Sequence, residues 1–124
     1  MRFTELEFSA ITKIVIAVIN ADGRVEENEV RCMAKEALRF GFNDNDIENF
    51  ITEANTMETS QAIAVIDSFD DERKKYVCAY LGTIMAVDGN LSDKEVALWR
   101  LVSSMCRLPE MSIKESITYI SSMQ

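Results

Sequence analysis

Shifted by 66 residues, the sequence falls on itself without a gap, residues 2–57 against 68–123. Nine of the 56 paired positions are identical, among them Phe3/Phe69, Asp22/Asp88, Gly23/Gly89, Glu29/Glu95 and Val30/Val96. Elsewhere the residue type is kept: Val18/Ile84, Ile19/Met85, Val25/Leu91, Met33/Trp99 and Phe42/Leu108 are apolar in both copies. The period is longer than that of most solenoids, and two copies suit one closed domain better than an open array. With 124 residues the chain can bury a core without disulfide or metal staples, so a single domain over 1–124 is expected.

Each copy reads as three helices. Phe3, Leu6, Ala10, Ile11, Ile14, Val15 and Val18 keep helical spacing over about 3–21, although the β-branched run 14–19 also suits a strand. Gly23 follows, as Gly commonly does past a helix end. Further helices are expected over about 26–40, with Val30, Met33, Ala34, Ala37 and Leu38 inward, and over about 45–56. Thr59 or Ser60 can cap a short linker helix. In the second copy a helix starts near Asp70-Asp71-Glu72 and runs to Val87, with Gly82 in its middle. Gly there costs about 1 kcal/mol against Ala, and close approach of another central helix would explain it. Ser92 with Glu95, and Ser112 with Glu115, read as capping boxes for the last two helices. The two long helices are too apolar to stand exposed, so they should lie at the centre, antiparallel or crossing, with Trp99 in the core. The expected fold class is all-α: a compact bundle of about seven helices, built from two pseudo-symmetric three-helix halves plus a linker helix. Four Gly and one Pro are too few turn formers for a β-sandwich or barrel.

Composition removes several function classes. The chain has no His, which excludes Ser-His-Asp and Cys-His nucleophile chemistry, HExxH zinc sites and Glu-x-x-His di-iron bundles. A net charge of −8 argues against nucleic acid and anionic membrane surfaces as partners. The strongly apolar run 14–19 is far short of the roughly 20 residues needed to span a bilayer, and the acidic start does not read as a signal peptide. Cys32, Cys78 and Cys106 are odd in number, widely spaced and form no CxxC pair, which suits buried thiols in a reducing cytoplasm. No Gly-rich phosphate loop or nucleophile elbow occurs.

The best-kept segment of the repeat is Asp22-Gly23-Arg24-Val25-Glu26-Glu27-Asn28-Glu29-Val30 against Asp88-Gly89-Asn90-Leu91-Ser92-Asp93-Lys94-Glu95-Val96. Its pattern, D-G-x-[apolar]-x-x-x-E-V, resembles the second half of an EF-hand loop. The first half fails: loop position one falls on Val18 and Ile84, and position three on Asn20 and Ala86. A calmodulin-like sensor is thereby excluded. Helix capping alone accounts for Glu29 and Glu95, since a carboxylate near the third helical position meets free N–H groups and the positive dipole end. Asp22 and Asp88 are harder to explain, because a negative charge at a helix C-terminus is disfavoured by about 0.3–1 kcal/mol. An Asp-Gly turn satisfies them locally, or a cation lies between each Asp and its Glu. All-oxygen ligands suit Mg²⁺ or Ca²⁺ and not zinc.

These segments, read as I-N-A-D-G-R-V-E-E-N-E and M-A-V-D-G-N-L-S-D-K-E, resemble the TerB-like family, which includes the N-terminal domain of the DjlA co-chaperones. The resemblance covers nearly the whole chain and departs where Val87 replaces the Ala before Asp-Gly. It implies a compact all-helical domain of two related halves, linked to tellurite and stress resistance, whose acidic positions bind divalent cations. By that resemblance the metal set is Asp22, Glu29, Asp88 and Glu95. The function expected is a binding or regulatory module with a protein partner and not an enzyme. The alternative is a metal-independent interaction domain of the co-chaperone kind. A carboxylate-metal hydrolase would need an open coordination position beside a substrate cleft, and no cluster of substrate-positioning groups stands out.

Overall fold

Thr4 opens the first helix. Its hydroxyl accepts the Glu7 N–H, and the Glu7 carboxylate accepts the Thr4 N–H at 2.8 Å, a complete capping box. Phe3, just outside, sets its ring 6.2 Å from that of Phe8 in the second turn, which fixes the angle at which the chain enters. The helix therefore starts after Phe3, not at it.

In the computed structural model, which describes residues 1–20, 26–88 and 92–123 (for Asp44 and Asp88 the backbone alone), seven helices follow one another. They are α1 (Glu5–Ile19), α2 (Glu27–Arg39), α3 (Asp44–Thr56), α4 (Thr59–Asp67), α5 (Asp71–Asp88), α6 (Asp93–Met105) and α7 (Ile113–Ser122). No strand occurs among the described residues, and the 14–19 run is helical. The bounds of α2 and α6 differ by the 66 residues of the self-match, and so do the last residues of α3 and α7. α4 links the two sets and is capped by Glu58 rather than by Thr59 or Ser60.

α1 and α5 are buried along most of their length. Ile11, Ile14, Val15, Val18, Tyr76, Leu81 and Ile84 are wholly enclosed. Their N-terminal ends meet: the rings of Phe3 and Phe69 lie 5.5 Å apart, and Arg73 Nε donates to the Arg2 carbonyl at 2.9 Å. That junction excludes the antiparallel arrangement. α1 also packs on α3, α4 and α6, and α5 on α7, α2 and α6. Gly82 faces α7, a peripheral helix, not a central one.

Two helix ends share one geometry. Past α2 and past α6, Phe42 N–H reaches the Ala37 carbonyl and Leu108 N–H the Ser103 carbonyl, the longer bond of a Schellman turn. The left-handed residue is Gly41 (φ 87°) in the first and Arg107 (φ 54°) in the second. Arg107 holds that disfavoured conformation while its guanidinium pairs with Asp67 of α4 at 2.6 and 3.2 Å. α6 thus stops at Cys106, three residues before Pro109.

Three periodicity readings fail. Val30 and Leu38 of α2 and Leu6 of α1 are exposed. Trp99 is only partly buried and lines a cleft of about 730 Å³ between α6 and the start of α7. No helix among the described residues is long and apolar enough to cross a membrane.

Candidate functional site

Glu29 and Glu95 occupy the same place in their helices. Each is the third residue, of α2 and of α6. The Glu29 Oε1 accepts the Glu26 N–H at 2.7 Å. At α6 the Ser92 hydroxyl accepts the Glu95 N–H at 3.1 Å and donates to Glu95 Oε1 at 3.3 Å. Glu29 therefore closes the cap of α2 with its side chain, whereas at α6 the cap is Ser92 and the Glu95 carboxylate holds the Ser92 hydroxyl.

Capping does not require burial, however. Glu115 caps α7 from the same position, accepting the Ser112 N–H at 3.2 Å, and is exposed. Gln61 caps α4 likewise and is exposed too. Glu29 and Glu95 retain only 2% and 1% of their accessible surface. Enclosing a carboxylate costs several kcal/mol unless compensating partners surround it. The two residues singled out by the repeat are thus also set apart by their burial.

Asp22, with Gly23, lies outside the described residues, and Asp88 is seen only as the last backbone position of α5. The first long helix ends at Ile19 with Asn20 as its cap, earlier than spacing suggested. Among the described residues, no three His, Cys, Asp or Glu side chains gather as a metal-binding group.

A second polar cluster was not legible from spacing. Glu36 of α2 is buried. Its Oε1 accepts the Tyr76 hydroxyl at 2.7 Å and Arg39 Nε at 3.1 Å. Arg39 in turn donates to the Met123 carbonyl at 2.8 Å. The network ties α2 to α5 and to the residue after α7. Burial first, and then the Glu36 charge, push the Tyr76 phenol far above its ordinary range, so it stays a protonated donor.

The thiols are chemically quiet. Burial raises Cys32, Cys78 and Cys106 each to about 11. Since the thiolate is the reactive form, the native protein should react at pH 8 at least tenfold more slowly with a thiol-disulfide reagent than the denatured chain, which should release three equivalents. Absorbance kinetics in buffer and in guanidinium check this, and a fast native phase of one equivalent would show a thiol activated against its burial.

The family described as tellurite resistance protein TerB matches residues 8–116. The chain belongs to the TerB family. The matched span runs from Phe8 of α1 into α7 and includes both Asp-Gly segments. This TerB domain is similar to a protein of unknown function from Porphyromonas gingivalis W83, known from a crystal structure. The two are 40% identical over 98% of this chain and 92% of that one, with a TM-score of 0.85. No curated protein matches the chain. As a TerB domain it is a helical module of the tellurite-resistance type.

Proposed function

We propose that this TerB domain is a non-catalytic binding module whose state responds to a divalent cation, Ca²⁺ or Mg²⁺, held at the Asp22/Glu29 and Asp88/Glu95 segments. The burial of Glu29 and Glu95, against the exposure of the equivalent caps of α4 and α7, carries the reading. A carboxylate that only caps a helix gains nothing from being enclosed, whereas one that also faces a cation gains interaction strength as water is excluded. The donors are hard oxygens, which fit Ca²⁺ and Mg²⁺. The chain's part is to supply charge and to position it: the first turns of α2 and α6 present both Glu residues, and the sequence brings an Asp seven residues before each.

Thermal melts in EDTA and in excess Mg²⁺ or Ca²⁺ test the proposal. At an ion concentration about tenfold above the dissociation constant, binding adds about 1.4 kcal/mol, or about 5 °C. Glu29→Gln and Glu95→Gln keep the caps, because Gln also completes them, yet should remove the increment. Glu115→Gln should retain it. No shift with either ion sinks the cation reading and leaves the metal-independent interaction module, which the exposed Leu101 and Met105, one turn apart on α6, favour.

A further inference from the structure

α2 and α7 both lie on α5, and between them runs a groove of about 340 Å³. Its floor is Thr83 and Val87 of α5; Ile120 of α7 forms one wall. The other wall is the face of α2 that carries Arg31, Cys32 and Lys35. The apolar part does not end at the groove, since Val87 is 37% exposed and Ile117, one turn before Ile120, is 40% exposed. On a chain of net charge −8, Arg31 and Lys35 place two cations one turn apart along the rim. Among the described residues, Arg31 is held by a pair with Glu27 in which both side chains are largely exposed, a contact worth little and readily exchanged. Glu36, the acid in the lining, is already engaged by Arg39 and the Tyr76 hydroxyl. At the floor, the buried Thr83 hydroxyl has no hydrogen-bond partner among the described residues.

We propose that this groove docks an amphipathic helix of a partner protein, with its apolar side on Val87, Ile117 and Ile120 and an acidic flank against Arg31 and Lys35. Among the described residues, only helices border the groove. An extended peptide would find no strand edge to pair with and would bury unpaired backbone groups, whereas a helix satisfies its own backbone and reads such a floor through positions i, i+3, i+4 and i+7. From Asn28 to Glu36 the wall is about 12 Å long at 1.5 Å per residue, two turns of helix. Such a short contact falls below the size of a permanent interface, so the association is weak and exchanges quickly.

The proposal does not rest on the cation reading, and the test is run in EDTA so that the two fail separately. Two synthetic peptides share a Leu face at i, i+3, i+4 and i+7; one carries Glu on its flanks and the other Lys. Each is titrated into the ¹⁵N-labelled protein to millimolar concentration. The Glu peptide should shift the amides of Cys32, Thr83, Val87 and Ile120 and bind at least tenfold more tightly than the Lys peptide. In the doubly reversed variant Arg31→Glu/Lys35→Glu that preference should invert. Both residues are exposed, so the variant stays folded, which its spectrum verifies. Equal affinity for the two peptides, shifts confined to another face, or indifference to the charge reversal overturns the proposal. So does a concentration-dependent dimer that the same reversal dissolves, because the occupant would then be a second copy of the chain.

Discussion

Glu36→Ala should destabilise the domain by about 3–5 kcal/mol, a large share of the 5–15 kcal/mol that holds a typical domain together. The substitution strands two groups at once. The Tyr76 hydroxyl loses its acceptor at 2.7 Å in a fully enclosed position, and the Arg39 guanidinium, only 15% exposed, loses its counter-charge. Tyr76→Phe removes one hydrogen bond and leaves the ion pair, so about 1–2 kcal/mol is expected. In the double variant the two losses should not add, because the Tyr hydroxyl has no acceptor once Glu36 is gone. Urea denaturation of the four proteins of the cycle measures the coupling, and an additive cycle would show that the hydrogen bond contributes nothing. The phenol adds a pH signature. Tyr76 is raised in the fold, so its contribution is intact below about pH 10, where an unfolded tyrosine is still protonated, and is lost as pH rises above that. Tyr76→Phe should flatten that alkaline decline.

Gly82→Ala should cost about 2–3 kcal/mol, although Gly to Ala inside a helix ordinarily gains about 1 kcal/mol. A Cβ on Gly82 would stand 2.6 Å from the Ser116 Cβ and closer still to its hydroxyl. The hydroxyl could rotate away, but the Cβ cannot retreat, for Ser116 is wholly buried and its backbone belongs to the first turns of α7. Ser116→Gly removes both contacts and should rescue Gly82→Ala by more than its own cost in the wild-type background. Melting curves decide it. A stabilised Gly82→Ala variant would mean that α5 and α7 are not held at this distance in solution.

The long elements were legible because capping and periodicity are local. Ser92 with Glu95, and Ser112 with Glu115, announce their helices within four residues, and Thr4 with Glu7 carries the same signal, which apolar spacing alone did not use. The misreadings have one physical origin. Periodicity marks a face, but the width of that face depends on what covers it. Val30 and Leu38 stand at the edge of the α2 stripe that rests on α5, and solvent reaches them there. Trp99 matches Met33 in the repeat, yet Met33 is enclosed while the indole borders a cleft. The Glu36 network was illegible for a different reason: Tyr76 and the Met123 carbonyl come from 40 and 84 residues away in sequence. For the candidate site, spacing picked out Glu29 and Glu95 and offered capping as their explanation. It could not say that they are buried, which separates them from Glu115.

The tight seam between Gly82 and Ser116 also bears on whether the two halves are interchangeable parts. At the offset of the self-match, α1 and α3 carry Ile16 and Phe50 in the corresponding places, side chains far too bulky for so close an approach. The halves share helix order and the spacing of their acids, but not the distance at which first and third helices meet. A symmetric protein made by repeating either half would therefore inherit the wrong seam in one copy. Joining two first halves would hold both pairs apart, and joining two second halves would draw both together. The central helices could not keep their present packing in either chimera.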